Sequence, residues 1–138
     1  MDYQQLLSDM ENKNGFFKNN NFHVVKATKE ECTVRADLTE NSMNPYGIAH
    51  GGLIFGLGDV VMGMLARAKG IPAVTMSANI NYLKPGTGKY LIGKAELIKS
   101  GKRTCVLRAN IYNDKEELIA TMDSNYFYLN KKEGIIWQ

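Results

Sequence analysis

Residues 53–69, LIFGLGDVVMGMLARAK, constrain this chain most. They read as one helix that is apolar nearly all the way round, ended by Gly70 and Pro72. A helix of that kind needs cover on most of its sides. The run from Leu53 to Ala66 is broken by Asp59 and three glycines and is too short to cross a bilayer. The cover must therefore come from protein. One sheet covers about half of such a helix, and a second copy covers more, which predicts a homodimer or a dimer of dimers.

The rest of the chain supplies the sheet. Phe22–Ala27 and Cys32–Leu38 read as two strands joined by the charged turn Thr28-Lys29-Glu30-Glu31. Within the second, Thr33, Arg35 and Asp37 alternate with Val34, Ala36 and Leu38. After the helix come four strands of about ten residues, Ala73–Leu83, Tyr90–Lys99, Thr104–Asn113 and Leu118–Leu129. Their short turns favour antiparallel meanders. Residues 2–13 read as an N-terminal helix with Leu6, Leu7 and Met10 as its apolar stripe, stopped at Asn14-Gly15. A polar loop, Lys18–Asn21, follows Phe16 and Phe17, and Lys131–Gln138 reads as a frayed end where Trp137 alone has something to pack. This order predicts one α+β domain over residues 1–138, with its core at about 22–129: a curved antiparallel sheet wrapped around one long central helix.

At 138 residues a single core can form without staples. The net charge of +3 is too small to mark a nucleic-acid binder, and it suits an anionic small molecule. Cys32 and Cys105 form no CxxC or CxxH pattern, so no metal or other cofactor framework is readable. The acidic, polar N-terminus lacks the order of a signal peptide, which predicts a cytoplasmic, reduced protein with no membrane partner. Cys105 and His23 read as structural.

Chemistry concentrates in NPYGIAHGGLIFGLGD, residues 44–59. Glycine in a helix costs roughly 0.5–1 kcal/mol against Ala, so His50-Gly51-Gly52 at the helix start and Gly56 and Gly58 within it need a reason. The first-turn N–H groups have no partner inside the helix and lie at its positive end. Two glycines leave them open to a carbonyl oxygen that gains negative charge during a reaction. Asp59 is the single acid between Asn41 and Leu91, on an otherwise apolar helix, where its desolvation calls for a partner or a task. Gly51 and Asp59 are about 12 Å apart along one helix axis, too far to act on one carbonyl carbon. If both serve one reaction, they come from two chains.

Asn44-x-x-Gly47-x-x-His50-Gly51-Gly52 followed by Asp59 resembles the hotdog-fold acyl-CoA thioesterases of the PaaI-like and 4-hydroxybenzoyl-CoA thioesterase group. Ala78-Asn79-Ile80-Asn81-Tyr82-Leu83-Lys84-Pro85 resembles the family's central strand, Ser100-Gly101-Lys102-Arg103 its basic turn, and residues 113–128 its last hairpin. The resemblance covers about residues 35–129 and implies a hotdog fold and thioester hydrolysis, with CoA entering as part of the substrate. It implies that the Gly51 N–H, with Gly52 beside it, polarises the carbonyl. Asp59 of the facing subunit serves as base or nucleophile, Asn44 holds the water or the thioester, and His50 fixes the local geometry. It further implies a Ser or Thr on the central strand that assists the acid. Counting from Asn79-Ile80 gives Thr75, and counting from Asp59 gives Ser77; the two share a face of a regular strand. Lys84, Lys102 and Arg103, with Lys89 and Lys99, are expected along one rim for the nucleotide phosphates. Leu53, Phe55 and Leu57, with Met62, Met64 and Met76, are the expected apolar wall of the acyl pocket. A hotdog hydratase or dehydratase and a non-catalytic acyl-CoA-binding protein are the alternative readings.

Overall fold

The computed structural model describes residues 3–129. The expectations for the tail and Trp137 lie outside them. The elements are α1 (Tyr3–Lys13), α2 (Gly15–Asn19), β1 (Phe22–Ala27), β2 (Glu31–Asp37), α3 (Gly51–Ala66), β3 (Ala73–Tyr82), β4 (Tyr90–Ser100), β5 (Thr104–Asn113) and β6 (Leu118–Tyr128). The strands form one antiparallel sheet in the order β1-β2-β4-β5-β6-β3. It packs along α3, as expected of a hotdog fold.

Alternation along the strands builds the core. In β5, Cys105, Leu107, Ala109 and Ile111 face α3, and the residues between them do not. From α3, Leu57, Val61, Met62 and Met64 are fully buried against this face. The helix leaves one stripe uncovered: Gly52 is exposed, and Phe55, Gly56, Asp59 and Val60 are half-buried. Leu53 and Leu57 are core residues, as are Met62 and Met64; Phe55 alone of the helix residues expected at the acyl pocket is half-buried.

Three local expectations are corrected. The chain after Asn14 is a second short helix, because the Asn14 side chain accepts from the Phe17 N–H and caps it. Phe17 enters the core, and the Phe16 ring lies over Gly56. Helix α3 ends at Ala66 rather than Lys69, since Arg67 leaves helical geometry and its Nε donates to the Ala73 carbonyl at 3.1 Å. Finally, β3 is not central. It crosses over to pair with β6 and forms an edge of the sheet, so only β4-β5-β6 is a meander.

Candidate active site

Two clusters form at different levels along α3. The first lies at its N-terminus. His50 is the N-cap: its backbone is extended (φ −62°, ψ 138°), and its Nδ1 accepts the Gly52 N–H at 2.8 Å. An accepting Nδ1 puts the proton of the neutral ring on Nε2. Leu53 and Ile54 both donate to the His50 carbonyl. Among the described residues the Gly51 N–H has no partner. The cap thus concentrates the open donor capacity of the helix tip on one group, which lies at the positive end of the helix dipole.

That group borders a cavity of about 490 Å³ lined by Asn44, Gly51, Gly52, Tyr82, Lys84 and Gly86, among others. The Asn44 Oδ1 accepts the Tyr46 N–H at 2.9 Å and the Ile48 N–H at 3.4 Å, which shapes the loop around Gly47 (φ 77°). Its amide nitrogen is the remaining donor. Tyr82, which the sequence reading did not single out, donates to the Gly51 carbonyl at 2.7 Å. A Cβ on residue 51 would lie 3.3 Å from the Tyr82 Oη, so glycine lets this tyrosine close over the helix tip. Burial raises the Tyr82 phenol above its ordinary range.

The second cluster surrounds Asp59, two turns further along α3. Thr75 donates to its Oδ1 at 2.7 Å. Tyr126 of β6, itself only 1% exposed, reaches the same Oδ1 at 2.5 Å and the Asp59 carbonyl at 2.6 Å. Asp59 is half-buried, not enclosed.

Sequence spacing alone put Thr75 and Ser77 on one face, and the structure corrects this. The β3–β6 register shifts between them, so Met76 is bulged. Thr75 pairs with Tyr126 and faces α3; Ser77 pairs with the exposed Asn125, whose Nδ2 donates to its hydroxyl at 2.9 Å. Asn79 pairs with the exposed Asp123 and shares that outer face. Ser77 and Asn79 therefore lie on the side of the sheet away from Asp59.

A sequence profile of the thioesterase superfamily matches residues 46–120, which include His50, Gly51, Asp59, Thr75 and Tyr82. The chain belongs to the thioesterase superfamily. It is an enzyme of the thioester hydrolase class. The acyl-coenzyme A thioesterase PaaI of Escherichia coli is 26% identical over 98 residues, covering 70% of this chain and 70% of that protein. The structure of the E. coli PaaI protein matches with a TM-score of 0.86 over 94% of each chain at 21% identity, a likeness of fold. A hypothetical thioesterase of Streptococcus pneumoniae, solved with coenzyme A, is 31% identical over 80% of this chain and 87% of that one, with a TM-score of 0.76. The Streptococcus protein is also known as two variants, one with an Asp and one with a Thr replaced by Ala. The two replaced positions are 16 residues apart, the separation of Asp59 and Thr75 in this thioesterase.

The basic residues do not form one rim within the chain. Lys84 follows β3 at its Tyr82 end, where Lys89 also lies; Lys99, Lys102 and Arg103 lie at the Ala73 end, where the Tyr128 N–H donates to the Arg103 carbonyl. The length of β3, about 30 Å, separates them. Lys84 is engaged with Glu117 at 2.9 Å. The Asn113 amide first, and then Lys84, hold the Glu117 carboxyl below its ordinary range.

Tyr126 is the main residue that sequence reasoning missed. Its signal was there. Met122, Ser124 and Tyr126 alternate on the face of β6 that meets α3, and a buried tyrosine hydroxyl requires a partner. Asp59 was the lone acid on the facing helix.

Proposed function

We propose that this thioesterase hydrolyses an acyl-CoA thioester to the free acid and CoA, at sites shared between two copies of the chain. The observation that carries this reading is the Gly51 N–H, left without a partner at a helix N-terminus on a cavity wall. Such a donor stabilises the oxyanion that forms when a thioester carbonyl is attacked, worth about 10²–10³-fold in rate. Asp59 supplies the second function, as general base toward water or as nucleophile. A thioester is already activated and thiolate leaves readily, so these two contributions suffice. The acyl-CoA identity of the E. coli relative and the coenzyme A bound to the Streptococcus protein support the choice of substrate.

The spacing along α3 and the open edge of the sheet support the two-copy site. Gly51 and Asp59 are two turns apart on one helix, about 12 Å along its axis. The ten-residue edge strand β3 is paired with β6 on one side and open on the other, with Met76, Tyr82 and Leu83 about half exposed at or beside it. A second copy joined there by a two-fold axis reverses direction, so the Gly51 end of one chain meets Asp59 of the other. The same operation brings Lys102 and Arg103 of one protomer toward Lys84 of its partner, restoring a composite basic rim for the nucleotide. Two buried, free cysteines suit a reducing, cytoplasmic setting.

The test is thiol release from short, medium, long and aryl acyl-CoAs, with wild type and Asp59→Asn side by side. The expected result is turnover by wild type that Asp59→Asn lacks while still binding acyl-CoA. Tight binding without thiol release by wild type would favour an acyl-CoA-binding protein instead. Hydration or double-bond formation on the intact thioester would favour the hydratase reading.

A further inference from the structure

Asp59 has two carboxylate oxygens, and the structure treats them differently. Oδ1 receives both the Thr75 hydroxyl at 2.7 Å and the Tyr126 hydroxyl at 2.5 Å. Oδ2 has no hydrogen-bond partner among the described residues. A carboxylate held by one donor still swings about its Cβ–Cγ bond; one oxygen pinned from two elements does not. The donors come from adjacent strands, Thr75 from the edge strand β3 and Tyr126 from β6, paired directly opposite each other. The bulge at Met76 ends this arrangement one residue later.

Tyr126 runs alongside helix α3. A Cβ on Gly63, one turn beyond Asp59, would lie in ordinary contact with it, 3.4 Å from both Oη and Cε2. The ring passes beside this glycine to reach Asp59. The single hydroxyl proton is shared between the Asp59 carbonyl and its Oδ1, a three-centre bond that ties the carboxylate to the helix backbone that carries it. Burial first, and then the Asp59 charge, push the Tyr126 phenol far above its ordinary range, so it remains a donor throughout the working range of an enzyme.

We infer that Tyr126 is a positioning residue for the reaction: it fixes Oδ1 of Asp59 and so leaves Oδ2 as the oxygen aimed at water or thioester. This rests on the proposed role of Asp59 and goes beyond it by naming the working oxygen and what holds it. Orientation of this kind acts on the chemical step and leaves binding of the distant nucleotide untouched.

The experiment is steady-state thiol release by wild type, Tyr126→Phe, Asp59→Asn and the double variant, on the best acyl-CoA of the panel. Tyr126→Phe is expected to lower kcat about ten- to a hundredfold, the weight of one hydrogen bond to a charged group, with KM unchanged. On the slow residual thiol release of Asp59→Asn, read at high enzyme concentration, the same change is expected to cost nothing further, because there is no carboxylate left to orient. A merely structural tyrosine gives neither the kcat-only effect nor its disappearance in the double variant. If Tyr126→Phe does not fold, 4-fluorophenylalanine at this position keeps the ring, fills the space of the hydroxyl and removes its proton: lowered kcat at constant KM supports the inference, and wild-type kcat overturns it. Wild-type kcat in Tyr126→Phe beside an inactive Asp59→Asn overturns this inference alone. A fully active Asp59→Asn overturns the role of Asp59 and the inference with it.

Discussion

A backbone N–H is removed by one substitution, proline, and Gly51 is a position where that is feasible. Gly51 is the first residue of α3, a site that tolerates proline because its N–H has no helical partner. His50 before it already has the extended conformation that proline demands of its predecessor (φ −62°, ψ 138°). Gly51→Ala is the matched control, since it keeps the N–H and places its Cβ against the same Tyr82 hydroxyl, 3.3 Å away. We expect Gly51→Pro to lose about 10²–10³ in kcat relative to Gly51→Ala, with helical circular dichroism retained in both. Equal rates in the two variants would remove Gly51 from the chemistry. The candidacy of Gly51 and Asp59 was legible from sequence, since glycines at a helix start and an acid on an apolar helix both conflict with local preference. For Tyr126 the alternation of β6 signals only a buried tyrosine that needs a partner; which partner it takes, Asp59, lies 67 residues away and is set by packing.

At the scale of elements, α3 keeps glycines where it meets other parts of the chain. A Cβ on Gly58 would fall 2.5 Å from the Met122 Sδ and 3.4 Å from the Ile111 Cδ1. Met122 is fully buried. Gly58→Ala gains about 1 kcal/mol of helix propensity, against about 1–3 kcal/mol for overpacking a filled core. We expect the packing cost to win, giving a lower midpoint in urea unfolding; a stabilised variant would show that Met122 repacks freely. Gly56 behaves differently, because Phe16 rather than the sheet occupies the space over it. The elements themselves were readable because their periods are local. The strands alternate and the central helix is apolar all round, so types and most boundaries agree with the structure to within a few residues. What local pattern missed was the Met76 bulge, one extra residue that puts Ser77 and Asn79 on the face opposite Thr75. The short helix α2 was also missed, since it rests on the Asn14 cap and on burial of Phe17 rather than on any periodicity.

For the whole molecule, the question is which chain supplies which part. Co-expressed Gly51→Pro and Asp59→Asn chains are each expected to be inactive as homodimers. A mixed dimer has one doubly damaged site and one intact site, so the mixture should recover roughly a quarter of wild-type activity. No recovery from chromatographically verified mixed dimers would place each site within a single chain. Among the described residues no helix is long and apolar enough to cross a membrane. By itself, the sequence determined a long apolar helix, an antiparallel sheet to cover it, an oxyanion-type helix start and an isolated acid. Each of these is written in the spacing of near neighbours, where backbone geometry and burial act directly on residue type. Only the tertiary structure decided that β3 lies at the edge, that Thr75 and not Ser77 meets Asp59, that Tyr126 holds the same oxygen, and that the lysines divide between two ends. Those outcomes depend on strand order and register, which are set by how distant segments pack together and leave no period in the chain.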